Sequence, residues 1–285
     1  MTIKGDEELI MSPIRENLAR DAGRLLGALR AKRPLVQNIT NFVSMDIAAN
    51  VLLAAGASPA MVHAPEESPD FIAFAQALVI NIGTLSAPWV ESMEIAASAA
   101  RKIGKPWVLD PVGAGATSFR DQAVKRLIAH HPQVIRGNAS EIMAVARVAG
   151  LTHEQVKPKG VDSLNSSAEA EDFARALARH LDCTIAATGA VDFITDGTRE
   201  IRLANGSELM ARVTALGCSL SALVGAFLGI EKDAFLATQA AIGVYGVAGE
   251  MAAEIAHRPG SFRTAFVDAL DAIGPDDLMT RLRVN

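Results

Sequence analysis

A chain of 285 residues with 50% hydrophobic content is long enough to bury one large core or two small ones. A net charge of -5, an isoelectric point near 5.7 and the lack of any Lys/Arg run argue against a nucleic-acid or anionic-membrane partner and favour a small molecule. Two cysteines, Cys183 and Cys218, make neither a disulfide framework nor a zinc pattern, and the six histidines are scattered, so no structural metal is expected.

The opening segment, MTIKGDEELIMSPIREN, has mixed charge and no apolar h-region, so a cytoplasmic protein is expected, with residues 1–13 as a frayed tail. Apolar residues at Ile14, Leu18, Ala22, Leu25 and Leu29 then recur at the spacing of an amphipathic helix. Six short apolar runs follow: PLVQNI, SPAMV, ALVINIG, PWVLDPV, PQVIRG and CTIAATG. Each precedes ten or more residues of helical periodicity, which predicts βαβ units around a parallel sheet and an α/β fold.

Some helix starts are written locally. Ser68-Pro69-Asp70 reads as N-cap, first-turn proline and first-turn acid; Ser86-Ala87-Pro88 opens a helix that Gly104 ends. Asp196-Gly197, between two alternating runs, is a hairpin signal, and three helices are expected after it. Val213 to Ile230 approaches membrane-spanning length, but Thr214, three glycines, Cys218 and two serines interrupt it, so it reads as a buried helix. VKPKGVDSLNSS reads as an exposed loop, and nothing divides residues 14–285, which are taken as one domain.

In open parallel sheets ligands bind beyond the C-terminal ends of the strands, which directs attention to NITN, DPVGAGATS, RGNASE, TGAVD and TALGCS. No G-x-G-x-x-G or P-loop is present. A helix N-terminus is then the best anion site: Gly217 permits close backbone approach, and the N–H groups of Cys218, Ser219 and Leu220 are its candidate donors, unless the glycine serves only a tight turn. Asp110, before Pro111 and two glycines, is either a turn former or a carboxylate within reach of Mg²⁺ and polyphosphate. Asn138 and Glu141 have capping-box spacing, while Arg136 before them adds a charge that suits a nucleotide. Thr188-Gly189 ends the sixth strand as a phosphate or ribose contact or as a simple turn, and Met61 reads as core packing unless a ligand claims it.

Taken together, NITN…AANVLLAAGASPAMV, INIGTL, WVLDPVGAGA, IRGNASEI, TGAVDFITDG and VTALGCSLSALVGAF resemble the hydroxyethylthiazole kinases of the ribokinase-like fold, in order from about Pro34 to PGSFRTAFVDAL. The resemblance implies a central, mostly parallel sheet flanked by helices on both faces. It also implies a cytoplasmic homotrimer with active sites at subunit contacts, and Mg²⁺-ATP phosphorylation of 4-methyl-5-(2-hydroxyethyl)thiazole for thiamine salvage. Carried over by position, Met61, Ala215 and Asn41 lie on the substrate side, and Arg136, Thr188, Asn138 and Gly217 on the ATP side. Asp110 and Glu141 act around Mg²⁺, and Cys218 stands where related kinases carry an aspartate base. Ala215-Leu216 departs from the family's glycine-rich run.

An ordinary thiol titrates near ~8.5, so Cys218 is mostly protonated at neutral pH, which predicts slow turnover. Three rival readings stay open from the residues: a kinase for hydroxymethylpyrimidine or pyridoxal, an acyl transferase or hydrolase using Cys218 as nucleophile, and a binding protein that kept only the ATP pocket.

Overall fold

The computed structural model describes residues 13–152, 156 and 166–285. The expected N-terminal tail, apart from Pro13, and most of the loop read in VKPKGVDSLNSS lie outside the described residues.

The first helical spacing forms α1 (Pro13–Lys32), which buries Leu18, Ala22, Leu25 and Leu29 but leaves Ile14 exposed. Alternating units follow: β1 (Leu35–Ile39), α2 (Met45–Ala55), β2 (Ser58–Ala60), α3 (Ser68–Phe74), β3 (Ala77–Asn81), α4 (Ala87–Lys102), β4 (Trp107–Asp110), α5 (Ser118–Ile128) and β5 (Val134–Asn138). Helices α6 (Ala139–Val148) and α7 (Ser166–Leu181) lead to β6 (Thr184–Thr188). The hairpin strands β7 (Asp192–Thr195) and β8 (Glu200–Leu203) come next.

The eight strands form one sheet in the order β2-β1-β3-β4-β5-β6-β7-β8. All pairs from β2 to β6 are parallel, while β7 and β8 add antiparallel at one edge. The Asp196-Gly197 turn is as expected, with Gly197 at φ 89°. The interior strands are buried on both sides because successive side chains alternate between two cores. Val36, Val79, Val108 and Val134 face the core shared with α1, α2 and the C-terminal helices. Leu78, Ile80, Trp107, Leu109 and Ile135 face the core under α4 to α7. Helices therefore cover both faces, as expected.

Three local expectations are corrected. After the hairpin come four α-helices, not three: α8 (Leu216–Leu228), α9 (Ala234–Ile255), α10 (Pro259–Ala272) and α11 (Pro275–Arg281), preceded by a 3₁₀ turn at Glu208–Arg212. Pro259 and Pro275 are each the first residue of a new helix. The run after β2 carries only a seven-residue helix, α3. Ser68 is the first residue of α3 rather than its cap; Glu67 holds the cap position, and the Ser68 hydroxyl accepts a hydrogen bond from Gln37 Nε2 at 2.8 Å.

Helix α8 is buried almost throughout, as read. It lies against the middle of the sheet at Gly225, where an added Cβ would stand 2.4 Å from Val79 Cγ2. The edge strand β8 is covered by the last residues of the chain. Leu203 bridges to Val284, Asn285 N–H donates to Arg202 O at 3.1 Å, and Arg283 N–H donates to Asn205 Oδ1 at 2.7 Å. Among the described residues, no helix is long and apolar enough to cross a membrane.

Candidate active site

The C-terminal ends of β3, β4, β5 and β6 converge on the N-terminus of α8, where the sheet register fixes which side chains meet. Asn81 and Asp110 are register partners at the ends of β3 and β4. Asn81 Nδ2 donates to Asp110 Oδ2 at 2.7 Å, and Ser221 Oγ, from α8, donates to the same oxygen at 2.8 Å. Asp110 is 1% exposed, and its other oxygen, Oδ1, is buried with no partner among the described residues. Burial pushes the Asp110 carboxyl up to about 6, against the pull of Arg136 and with a further push from Glu141.

Arg136, on β5, ties three predicted residues together. Its Nη1 donates to Gly217 O at 2.9 Å, its Nη2 donates to Thr188 Oγ1 at 2.5 Å, and Nη1 stands 4.0 Å from Asp110 Oδ2. The glycine at 217 eases this approach, since a Cβ there would meet Arg136 Nη1 at 3.0 Å and the guanidinium would have to give way. Arg136 Nε is buried without a partner among the described residues, which leave the guanidinium unsaturated.

The capping box read at Asn138 and Glu141 is present. Glu141 N–H donates to Asn138 Oδ1 at 2.9 Å, and Asn138 N–H donates to Glu141 Oε2 at 2.8 Å. The second Glu141 oxygen accepts from Gly113 N–H at 2.9 Å, holding the glycine-rich loop after β4 beside α6. Arg120 clamps the same loop to the one after β3, donating to Val112 O and Ile82 O at 2.6 Å each and to Gly83 O at 2.5 Å.

Cys218 lies in the first turn of α8, but the helix begins earlier than expected. Ala215 is its N-cap, in the left-handed region at φ 63°, and Leu216 is the first helical residue. Ser219 N–H therefore donates to Ala215 O at 3.0 Å and is not a free donor. The amides ahead of the first helical hydrogen bond are those of Leu216, Gly217 and Cys218, in place of Cys218, Ser219 and Leu220. The buried Tyr245 hydroxyl donates to Leu216 O at 2.7 Å and shares a hydrogen bond with Ser219 Oγ at 2.7 Å, anchoring this turn to α9.

Asn41 Nδ2 donates to Cys218 Sγ at 3.4 Å and to Asn81 Oδ1 at 2.8 Å, while its Oδ1 accepts from Val43 and Ser44 N–H at 3.0 Å each. Both ends of this amide are thus engaged within the protein. Burial raises the Cys218 thiol above its ordinary value and the Asp110 charge adds to the rise, with Asn41 and Asn81 partly offsetting both. No histidine hydrogen-bonds to Cys218 among the described residues, and a thiol raised in this way is a poor candidate for an acyl-transfer nucleophile. Met61 follows β2, half-buried against the core that contains α8. Nearby, Phe42 packs edge-on to Trp89 at 4.9 Å and His63 stacks on Trp89 at 4.3 Å, forming an apolar rim.

Beside Arg136 a cavity of about 680 Å³ opens between β6, the β7–β8 hairpin and α8–α9. Thr188, Asn138 and Gly217 line its sheet end, and Met210, Leu220 and Ile242 its apolar side. The slot offers a cation and free helix amides at one end, which is chemistry for a polyphosphate, and the Asp110 carboxylate, outside the lining, stands 4.0 Å from that cation. Asn81, Ser221, Arg120 and Asp192, which also lines the slot, were not singled out from the sequence. Asn81 ends a strand and Ser221 is one helical turn from Cys218, so strand-end position and i+3 spacing were the available signals.

The Hydroxyethylthiazole kinase family model matches residues 26–276. A hydroxyethylthiazole kinase of Cereibacter sphaeroides is 56% identical over 256 residues, covering 90% of this chain and 95% of the relative. The solved structure of a hydroxyethylthiazole kinase protein from Pyrococcus horikoshii OT3 superposes with a TM-score of 0.85 at 42% identity, covering 93% of this chain and 98% of that one. A ribokinase-like superfamily protein from Enterococcus faecalis shares the fold, with a TM-score of 0.59 at 14% identity over 85% of this chain and 87% of its own.

Proposed function

Because the chain belongs to the hydroxyethylthiazole kinase family, and so transfers a phosphoryl group from ATP to the hydroxyl of a hydroxyethylthiazole, we propose that the α8 N-terminus and the adjoining slot are where it does so. The observation that carries this reading is Arg136, which joins Thr188, Gly217 and Asp110 around the first turn of α8.

In this reading residues 14–285 act as one kinase domain. ATP lies in the slot, its phosphates toward Arg136, Thr188, Asn138 and the amides of Leu216 to Cys218. The thiazole alcohol enters on the Cys218 side, near Met61 and Ala215, with Asn41 orienting Cys218 from behind. The hydroxyl oxygen attacks the γ-phosphorus, the bond to the β–γ bridging oxygen breaks, and ADP leaves. Arg136 stabilises charge on the transferred group, and the hydroxyl proton passes to Cys218 when that thiol is ionised, or otherwise to solvent. Such a loose transition state depends chiefly on positioning and charge, so a weak base slows the reaction without abolishing it.

The residues present fit a magnesium ion. Asp110 has a buried oxygen without a partner among the described residues, and the one or two carboxylates at hand are what this ion takes when substrate phosphates and water complete its shell. Asp110 would hold it, with Glu141 beside it; when bound, the ion offsets charge on the phosphate oxygens. Phe42, Val43 and Trp89, an apolar rim next to the substrate side, support a homotrimer with sites at subunit contacts, and two unpaired cysteines support a cytoplasmic setting.

The test is a mass-resolved assay of purified protein with Mg²⁺-ATP and hydroxyethylthiazole, hydroxymethylpyrimidine or pyridoxal. Phosphorylation of the thiazole alone is expected. Transfer to either of the other alcohols in preference would overturn the substrate reading, and light scattering on a sizing column, where three copies are expected, tests the assembly.

A further inference from the structure

Two carboxylates line the cavity beside Arg136, Asp192 and Glu208, and the phosphoryl-transfer chemistry uses neither. Asp192 is the first residue of β7 and lines the slot together with Thr188, Gly189 and Ala190. Its Oδ1 accepts a hydrogen bond from Gly189 N–H at 3.0 Å, which closes the turn between β6 and β7 and fixes the carboxylate plane. Its Oδ2 makes no hydrogen bond with the described residues.

Sheet register tells where along the slot this oxygen stands. Ala187 pairs with Phe193, so Thr188 and Asp192 are opposite one another at the ends of adjacent antiparallel strands, about 5 Å apart. On the far side Asp192 pairs with Leu203, after which Ala204 to Glu208 form the distal wall. Walking outward from the phosphate end, the order is therefore Arg136 on β5, Thr188 on β6, Asp192 on β7 and the 204–208 segment after β8. A nucleotide laid along this path has its ribose between the phosphates and the base, one strand beyond Thr188.

A carboxylate oxygen is an acceptor only, and the groups of a nucleotide that donate at that point are the ribose hydroxyls. A base's exocyclic amine would lie farther out, against the 204–208 segment and the apolar side formed by Met210 and Ile242. Resting on the reading that ATP occupies this slot, we propose that Asp192 accepts hydrogen bonds from the ribose diol and makes the enzyme select ribonucleotide donors over deoxynucleotides. Asp192 is half-buried, and a site that spends such an acceptor on a hydroxyl disfavours the analogue lacking it, because the acceptor is then left unpaired beneath the bound ligand.

The experiment compares ATP, 2′-deoxyATP, 3′-deoxyATP and GTP as phosphoryl donors to hydroxyethylthiazole, by kcat/KM, in the unaltered enzyme and in Asp192→Asn. Asn keeps an oxygen for Gly189 N–H, so the turn is retained, and it replaces the free acceptor by an amide. The unaltered enzyme is expected to prefer ATP over at least one deoxynucleotide by roughly 10–100-fold, the range for a hydrogen bond to a charged group. In the variant that preference is expected to fall to within about threefold, with the ATP to GTP ratio unchanged.

Equal use of ATP and both deoxynucleotides by the unaltered enzyme overturns the proposal, and needs no variant to fold. So does a preference that survives in Asp192→Asn, which leaves the residue a turn former, or a shift confined to the ATP to GTP ratio, which moves the contact to the base. If the unaltered enzyme uses none of these donors, the nucleotide reading of the slot fails, and that result is distinguishable from all the others.

Discussion

Cys218 is half-buried beside a carboxylate and receives one N–H from Asn41, a setting that favours the neutral thiol over the thiolate. If it takes the hydroxyl proton, kcat is expected to rise as pH increases through the range where a raised thiol begins to ionise. Cys218→Ser should flatten that rise, and Cys218→Asp should keep or increase kcat at neutral pH; an inactive but folded Cys218→Asp protein would count against the role. Ser221 and Asn81 both hold the same Asp110 oxygen, so Ser221→Ala leaves a buried carboxylate short of a donor. A loss of about 1–3 kcal/mol in urea-melt stability is expected, larger than for an exposed serine. Neither contact could be read from the chain, because each needs the β3–β4 register and the placement of α8, while the strand-end aspartate itself was visible from its neighbours Pro111 and Gly113.

At the scale of elements, α8 brings the site together and two positions control its seating. Ala215 adopts left-handed backbone at φ 63°, which costs an L residue with a Cβ roughly 1 kcal/mol. Ala215→Gly is expected to raise stability by a similar amount in thermal melts. The expected free amides lie two residues, about half a turn, beyond the observed ones, because alanine carries no local signal for a left-handed cap. Conversely, Gly225→Ala drives a methyl into Val79 and should destabilise by about 1–3 kcal/mol while lowering kcat, since α8 must lift from the sheet that carries Asp110. The strands were legible because burial on both faces leaves continuous apolar runs. The Ser68 cap was misread because its partner, Gln37, lies on β1, 31 residues earlier.

For the whole molecule, unpaired buried polarity shapes the response to pH. Asp110 holds its proton up to about 6 in the folded protein against an ordinary 3.8, so between those values the folded state binds more protons than the unfolded one. Stability of the ligand-free protein is therefore expected to fall as pH rises through this window, by up to about 3 kcal/mol for this group, and Asp110→Asn should flatten that slope in melts at pH 4 to 7. The fold class, the sheet with helices on both faces and the convergence of strand ends were all legible in chain order, whereas the number of C-terminal helices was not, because the seven residues of α11 are too few to establish a period of their own. The hairpin edge was legible too, but not what covers it: Arg283 to Asn285 pair with β8 and with Asn205, which lines the cavity beside Arg136 with its neighbours. Those three residues hold one wall of the cavity proposed for ATP, so trimming them is expected to weaken nucleotide binding and to bare a strand edge for self-association.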